Sequence, residues 1–339
     1  MDIYVEISHL AATLDRKAFS EQIRRLEDAG VTGVSVNDHL FATSDGVHRS
    51  DRTSPTCDPV ATLGVVAGLS DRLGVQSVVL NSAFSHPALT VRHFAQLAQL
   101  VGGERVTMGL GAGWSAEEFD AIGYQMPPFG RRMDRLGEVL QIARSMLDNG
   151  RASFTGDHVS VRDLPLSPAV HEVPRLLVGG GSDRVMTLAG RYADILDLHG
   201  HPSRGKIAGA TMAQARAGDV ARRALTTVAD LEERVGAVRA AERAAGRAPV
   251  AVSGSVFFTV YEDVDRAESA LCAAWARIPD QSLRDSPYLL FGSPTQMAES
   301  LSERRERYGL ARVTLQYDRG YPVPPPDPVR FCAEVLPLL

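Results

Sequence analysis

Short apolar runs alternate with longer amphipathic segments along almost the whole chain, and this alternation predicts a repeating strand–helix unit. The runs predicted as strands are 3–7, 34–36, 75–80, 105–110, 175–178, 194–198, 250–260 and 312–316. Helices are predicted where apolar residues recur three or four positions apart. These segments are 16–29, 58–70, 86–100, 131–147, 183–192, 231–245, 264–276, 295–308 and a terminal helix after the Pro-rich segment 321–328.

About eight such units with no break in composition predict an α/β fold, a single (β/α)8 TIM barrel that spans residues 1–339. Parallel strands need helical crossovers, and eight of them can close without a free edge. A doubly wound open sheet is the competing architecture. That fold normally has a Gly-rich turn straight after its first strand, whereas residues 8–11 read Ser-His-Leu-Ala. The sequence therefore favours the barrel.

Two segments interrupt the repeat. Residues 151–162 place Gly156 and Asp157 between two short β-prone runs, which predicts a small excursion hairpin. Residues 199–226 follow the sixth predicted strand and are longer than a usual connection, so they are a candidate lid. We expect such insertion loops at the C-terminal face of the strands.

The charge of the chain makes nucleic acid an unexpected partner. The 339 residues carry 36 Lys and Arg against 41 Asp and Glu, a formal net charge of -5. No basic run extends beyond pairs such as Arg131 and Arg132. A nucleic-acid binder would present a basic face, so we expect a different kind of ligand.

Cysteine usage and hydropathy narrow the class further. The three cysteines, Cys57, Cys272 and Cys332, lie far apart, and none belongs to a CxxC pair or has a histidine at metal-ligand spacing. We therefore expect neither a disulfide framework nor a metal site. The N-terminus lacks a basic region followed by an apolar one, and no window of about 18 apolar residues occurs. These features predict a cytoplasmic protein without a membrane partner.

Active sites of (β/α)8 barrels are built from loops at the carboxyl ends of the strands. Here those positions carry polar, aromatic or small residues, which are His9, Asn37, Asp38, His39, Asn81, the segments 109–114 and 179–182, and His199. We therefore take these residues as the candidates for chemistry and binding.

The fifth predicted strand runs into Gly179, Gly180, Gly181 and Ser182 before the next helix. Glycines let backbone N–H groups approach an anion, and a helix N-terminus adds positive partial charge, so the segment suits a phosphate group. It is also compatible with a plain strand–turn–helix connection in which Ser182 or Asp183 caps the helix.

The fourth predicted strand ends in Gly111, Ala112 and Gly113, followed by Trp114. The missing side chains would let a flat ligand lie against the backbone, with Trp114 as a wall of the pocket. In the alternative interpretation the glycines only allow a tight turn, and Trp114 belongs to the core.

His39 follows the second predicted strand, next to Asp38. A histidine at a barrel mouth is a candidate acid/base, although a lone histidine can equally be structural. Neighbours on a strand point to opposite faces, so Asp38 and His39 touch only if the strand has already ended. His199 and His201 have a metal-like spacing, yet no third ligand follows, which favours a place in the candidate lid.

In their shared order, seven segments resemble the bacterial luciferase-like family of barrel oxidoreductases, and within it the branch that uses the deazaflavin coenzyme F420. The segments are 36–39, 84–88, 109–114, 128–136, 177–181, 292–296 and 303–309. The resemblance implies a deazaflavin, or FMN in the alternative, across the mouth of the barrel. Its phosphate would lie at Gly180, Gly181 and Ser182, and its ring against strands two to four.

The resemblance also implies roles for individual residues. A non-proline cis peptide is implied in the third strand, at Val78–Val79 or one residue on, behind the ring, and Asn81 matches a side chain at the ring edge. His39 matches a histidine used for proton transfer or substrate binding. The implied cofactor-binding set is Asn37, Val78, Val79, Asn81, Gly111, Ala112, Gly113, Gly179, Gly180, Gly181 and Ser182, and the implied substrate pocket contains His9, Trp114 and His199.

Two departures from the family pattern bear on the substrate. Trp114 stands where sugar-phosphate dehydrogenases of this branch have an acidic glutamate, and Ser85 replaces a basic residue before His86 and Pro87. These departures argue against glucose-6-phosphate and favour an apolar or aromatic substrate near Trp114.

The sequence thus predicts an F420-dependent oxidoreductase that transfers hydride between the deazaflavin C5 and a small organic substrate. The resemblance implies a homodimer. An FMN-dependent monooxygenase and a non-catalytic cofactor-binding protein are the alternatives. A phosphate-handling aldolase is disfavoured, since no lysine stands at these strand ends.

Overall fold

Eight parallel strands form a closed barrel in the computed structural model, which describes residues 1–43, 53–54, 56–167, 169, 171–199, 226–260, 265, 269, 286–316 and 327–339. The barrel strands are β1 (Asp2–Glu6), β2 (Gly33–Val36), β3 (Gly74–Ser77), β4 (Val106–Gly111), β5 (Arg175–Gly180), β6 (Ile195–Leu198), β7 (Ala251–Val260) and β8 (Leu310–Gln316). Each pairs with the next in the chain, and β1 also pairs with β8, which closes the ring. The predicted (β/α)8 barrel is confirmed.

Helices surround the barrel. They are α1 (Ser8–Thr13), α2 (Arg16–Asp28), α3 (Pro59–Leu69), α4 (Pro87–Val101), α5 (Ala116–Ala121), α6 (Phe129–Asn149), α7 (Asp183–Tyr192), α8 (Val228–Ala245), α9 (Pro294–Tyr308) and α10 (Pro328–Glu334). Side-chain N-caps start several of them, such as Asp15 for α2, Asp58 for α3 and Ser293 for α9. These caps satisfy backbone N–H groups that lack a partner within the helix.

The third strand departs from the prediction of one continuous strand over 75–80. β3 ends at Ser77, the peptide bond between Val78 and Val79 is cis, and a short strand, Leu80–Asn81, then pairs with β4. The cis bond lies at the position that the resemblance implies. The continuous-strand prediction was wrong because the apolar run continues through the interruption and contains no signal of it.

The predicted excursion hairpin is present as two antiparallel strands, Arg151–Thr155 and Ser160–Pro165. Its turn is fixed by Glu138 on α6, whose carboxylate accepts the N–H groups of Asp157, His158 and Val159 at 2.9, 2.9 and 2.8 Å. A carboxylate that accepts three backbone N–H groups anchors the hairpin to the barrel.

Two further pairings were not predicted. Ala42–Thr43 pairs with Thr53–Ser54, and Leu289–Gly292 pairs in parallel with the last four residues of β7. Of the predicted lid only its end residues 199 and 226 are described. The predicted helix 264–276 is likewise outside the described residues except at 265 and 269, as is the Pro-rich segment up to residue 326.

The floor of the barrel, at the amino ends of the strands, is polar. Arg312 on β8 donates to Gln76 Oε1 at 2.9 Å, to Thr107 Oγ1 at 3.3 Å and to Asp2 Oδ2 at 3.2 Å. Its guanidinium also lies 4.2 Å from the centroid of the Tyr4 ring. This buried cation therefore links β8 with β1, β3 and β4.

Among the helices of the described residues, none combines the length and the apolar character needed to cross a membrane. Cys57 and Cys332 are free thiols, and Cys272 lies outside the described residues.

Candidate active site

The carboxyl ends of the barrel strands bring most of the predicted site residues to one mouth. His39 follows β2, Asn81 follows β3, Trp114 follows β4, Ser182 follows β5 and His199 follows β6. β2 and β6 are four strands apart in a ring of eight, so His39 and His199 stand on opposite sides of the mouth.

His39 is held by a carboxylate that the sequence analysis did not identify. Its Nδ1 lies 3.1 Å from Oε1 of Glu118 on α5, and the same oxygen accepts the backbone N–H of Leu40 at 2.8 Å. The Glu118 side chain is only 4% exposed, whereas that of His39 is 25% exposed. The mouth therefore contains a histidine–carboxylate pair with its carboxylate buried and its imidazole open to ligand.

One sequence signal could have located Glu118. Ser115 and Glu118 form the Ser-x-x-Glu pattern that is typical of a helix start, and Ser115 does cap α5 by accepting the N–H of Glu118 at 3.4 Å. The pattern predicts a short helix straight after β4. It does not predict that the glutamate side chain turns toward the second strand instead of capping its own helix.

Trp114 stands next to this pair. Its ring meets that of His39 edge-on, with centroids 5.7 Å apart and planes at 82°. An edge-to-face contact of this kind fixes ring orientation and contributes an apolar wall. Trp114 is thus part of the mouth, as the prediction of a pocket wall requires.

Asp38 and His39 have different partners because β2 has ended before them. Asp38 Oδ2 accepts the backbone N–H of Asn81 at 2.8 Å, which joins the loop after β2 to the loop after β3. Burial raises the pKa of the Asp38 carboxyl, and the hydrogen bond from Asn81 offsets part of that rise.

Glu6 is a second acid, partly buried below the mouth at the end of β1. Its Oε1 accepts the N–H of Ser8 at 2.7 Å and the Asn37 amide at 3.4 Å. Burial raises the pKa of the Glu6 carboxyl, against the effect of the bonds from Ser8. Asn37 is thereby fixed by Glu6 and, through its own N–H, by the Ser8 hydroxyl at 3.0 Å.

Glycines make room for the residues around the cis peptide. A Cβ on Gly111 of β4 or on Gly179 of β5 would overlap the side chain of Val79, so Val79 fits between these two strands only because both residues are glycine. Gly113, with φ +70°, faces the Asn81 amide in the same way. Val79 and Asn81 therefore form a platform at the mouth beside β4 and β5.

The loop after β5 contains the helix cap that the sequence allows, and phosphate binding there stays a prediction. Ser182 caps α7 by accepting the N–H of Val185 at 3.3 Å, while Gly180 has φ +148° and a Cβ on Gly181 would overlap the His199 carbonyl. The cap and the close backbone approach occur together at a helix N-terminus. Such a loop suits an anion.

His199 also has a carboxylate neighbour. Its Nε2 lies 3.0 Å from Oδ2 of Asp197, which is fully buried on β6, and Asp197 Oδ1 accepts the Ser253 hydroxyl at 3.1 Å. The backbone N–H of His199 donates to Gly180 O at 3.1 Å. This second pair therefore adjoins the glycine loop, across the mouth from His39.

His9 is placed differently from the other candidates. It lies in α1, where its Nε2 is 3.3 Å from the Thr13 hydroxyl of the same helix. Within the part of the chain that the structure describes, no group of three or more His, Cys, Asp or Glu side chains could hold a metal ion.

Comparison with known proteins agrees with this architecture. A family model described as luciferase-like monooxygenase matches residues 6–323. The chain belongs to this family, whose members are oxidoreductases and monooxygenases.

Individual relatives are distant. The chain is 27% identical over 172 residues to the F420-dependent glucose-6-phosphate dehydrogenase of Amycolatopsis mediterranei (strain U-32), a match that covers 50% of this chain and 49% of that protein. The chain thus spans about half the length of this curated relative.

Solved structures match over nearly the full length. An F420-dependent secondary alcohol dehydrogenase in complex with an F420-acetone adduct has a TM-score of 0.72 at 18% identity, covering 99% of this chain and 98% of that one. A riboflavin lyase with modified FMN and substrate riboflavin has a TM-score of 0.71 at 16% identity, covering 100% and 91%. At such identities the likeness shows the fold.

Proposed function

We propose that this protein is an F420-dependent oxidoreductase that transfers hydride between the deazaflavin C5 and a small organic substrate. The observation that carries the proposal is His39, held through Nδ1 by a buried carboxylate and flanked by Trp114, beside the platform of Val79 and Asn81. The partial match to an F420-dependent dehydrogenase supports the choice of cofactor.

The residues at the mouth fit such a cofactor. A phosphate group would meet the N-terminus of α7 at Gly180, Gly181 and Ser182, where the helix dipole is positive. The ring would be held by the other residues of the predicted set, which are Asn37, Val78, Val79, Asn81, Gly111, Ala112, Gly113 and Gly179. When bound, a deazaflavin supplies hydride chemistry at C5.

The side chains of this protein supply proton transfer and exclusion of water. His39 gives a proton to the substrate atom that is bonded to the carbon receiving hydride. When the reaction runs the other way, His39 takes the proton from that atom. Trp114 offers an apolar wall beside His39, which favours an apolar or aromatic substrate. His199 closes the opposite side of the mouth, so we place the substrate between the two histidines, with His9 at the edge of the pocket.

An FMN-dependent monooxygenase is the second candidate. The family model is described as a monooxygenase, and one structural neighbour holds a modified FMN. The glycine loop at α7 offers the same backbone to the phosphate of either cofactor. A third possibility is a protein of this fold that binds a cofactor without turnover.

A parallel titration separates these candidates. The purified protein is titrated with F420 and with FMN while the fluorescence of each cofactor is followed. Gly180→Asp and Gly180→Asn are compared, because both side chains are equally strained by the backbone at φ +148° and differ in charge. Gly236→Asp, in open space on α8, is the control for an added charge elsewhere.

We expect F420 to bind, and Gly180→Asp to bind it at least about tenfold more weakly than Gly180→Asn, since a carboxylate on the loop proposed to hold the phosphate would repel it. Gly236→Asp should bind as the wild type does. Preference for FMN would transfer the proposal to the monooxygenase. Binding of neither cofactor would overturn both, and binding without turnover of any reducible substrate would leave the non-catalytic protein.

A further inference from the structure

We propose that Glu118 is a positioning residue that holds His39 with its proton on Nδ1, so that Nε2 is the ring nitrogen that exchanges protons at the mouth. The inference deepens the proposed function, because it rests on that proposal for the statement that His39 moves a proton. The tautomer itself follows from the hydrogen bonds of the protein without a cofactor.

The Glu118 oxygen that Leu40 and His39 share determines which ring nitrogen carries the hydrogen. Glu118 Oε1 accepts the backbone N–H of Leu40 at 2.8 Å, and a backbone N–H can only donate. The same oxygen lies 3.1 Å from His39 Nδ1. A carboxylate oxygen that already accepts one hydrogen bond binds a second donor, so Nδ1 carries the hydrogen and the neutral ring has its lone pair on Nε2.

The support that Glu118 gives to His39 is rigid. The Glu118 side chain is 4% exposed, and Ser115 fixes the start of its helix by capping α5. Trp114 meets the imidazole edge-on, with ring centroids 5.7 Å apart, and restricts the orientation of the ring plane. Glu118 instead determines the protonation of one ring nitrogen. Together these contacts define both the tautomer and the direction of the ring.

Three carboxylates interact electrostatically with His39. They belong to Glu6 on β1, Asp38 in the loop after β2 and Glu118 on α5. Glu6 and Asp38 have hydrogen-bond partners of their own in Ser8 and Asn81. Of the three carboxylates, Glu118 is the one within hydrogen-bond distance of the imidazole.

A purely structural role for Glu118 makes a different prediction. If the carboxylate served only to tie down the loop after β2 through the Leu40 N–H, its removal would lower stability and leave the tautomer of His39 unchanged. The state of the ring nitrogens therefore separates the two roles, whereas loss of activity alone does not.

The experiment is 15N NMR of the histidine ring nitrogens in the full-length protein without cofactor, with the His39 signals assigned by their loss in His39→Gln. We expect a protonated Nδ1 and an unprotonated Nε2 in the wild type. Glu118→Ala should shift the neutral ring toward protonation at Nε2, and Glu118→Gln, whose amide oxygen still accepts, should keep the wild-type tautomer. Asp120→Asn, which removes an exposed charge from the same helix, should leave the tautomer of His39 unchanged.

Kinetics give the second readout. In Glu118→Ala we expect kcat to fall by about 10–100-fold, with the dissociation constant for F420 unchanged and with partial recovery in Glu118→Gln. A wild-type ring protonated at Nε2, or an unchanged tautomer in a folded Glu118→Ala protein, would overturn the inference. The wild-type spectrum tests it even if Glu118→Ala does not fold. The spectrum needs no cofactor, so failure of F420 binding would overturn the proposed function without touching this result.

Discussion

The position of His39 depends on where β2 stops. Because the strand ends at Val36, the next three side chains do not alternate across a sheet, and each finds its own partner. His39 was predictable as a residue at a strand end. The contact of His39 with Glu118 was not predictable, since the two are 79 positions apart and the glutamate lies in a helix of six residues.

Replacement of His39 tests its role in proton transfer. His39→Gln should lower kcat by about 10²–10⁴-fold, the usual contribution of a positioned acid or base. Affinity for F420 should stay close to that of the wild type, because no cofactor contact is assigned to this ring. Steady-state kinetics and the fluorescence titration measure the two quantities, and an unchanged kcat would contradict the role of His39.

Glu6 provides a prediction about pH. Burial raises the pKa of this carboxyl above its ordinary value of 4.5, so the folded protein binds the proton more tightly than the unfolded chain does. The wild type therefore loses free energy of unfolding as pH rises above 4.5 and through the raised pKa. The glutamine of Glu6→Gln is always neutral, so this variant does not lose that part of its free energy of unfolding as pH rises.

We therefore expect Glu6→Gln to gain stability relative to the wild type at pH 8 and to show a smaller difference at about pH 5, as measured by denaturant unfolding. Glu21→Gln, an exposed change of charge on α2, should show a difference near zero at both values. A Glu6→Gln variant that is equally destabilised at both values would show that the bonds to Ser8 and Asn37 outweigh the burial of charge.

The first turns of α6 hold the loops that form the mouth. Arg132 is buried and donates to the carbonyls of Gly113 and Pro127, while Arg135 donates to Ser82 O at 3.3 and 3.2 Å. Burial lowers the pKa of both guanidinium groups. One helix thus holds the loops after β3 and β4 in register with each other.

Arg132→Met should reduce the free energy of unfolding by about 2 kcal/mol, since bonds from a charged donor to two carbonyls are lost. It should also weaken cofactor binding, because Gly113 faces Asn81 across the platform. Arg131→Met removes the same charge from an exposed neighbouring position and should stay within about 0.5 kcal/mol of the wild type. Equal effects of the two substitutions in denaturant unfolding would contradict this role of α6.

Most barrel elements could be predicted because buried parallel strands form continuous apolar runs. The start of β2 at Gly33 and the end of β5 at Gly180 were missed, since glycine carries no hydropathy signal. Helix α5 was missed because it is only six residues long. The cis bond at Val78–Val79 was expected from resemblance alone, because its two valines look like ordinary strand residues.

The number of strand–helix units was enough to predict closure of the barrel, but the contacts across the barrel were not predictable. The link between Arg312 and Gln76 joins positions 236 residues apart, and no local pattern pairs them. The same holds for the candidate site, where residues at strand ends were found and the long-range partner Glu118 was not.

The outer surface supports a prediction about assembly. The resemblance implies a homodimer, and the packed helices α3 and α4 expose Val65, Leu89 and Leu100. We expect light scattering to give twice the mass of one chain. A double change, Val65→Glu with Leu89→Glu, should shift the protein toward monomer, whereas Leu338→Glu, an exposed leucine near the C-terminus, should not. A monomeric wild type would contradict the prediction.

The polar floor of the barrel has a consequence for synthesis of the chain. Gln76 and Thr107 leave the ribosome 236 and 205 residues before Arg312. At about 5–20 residues per second, roughly ten seconds or more pass before their partner emerges. Until then the nascent chain carries an open barrel of at most seven strands, with unpaired strand edges and polar side chains without their cation. Such an intermediate exposes the kind of surface that chaperones shield. A chain truncated before β8 should therefore depend on chaperones to stay free of aggregation.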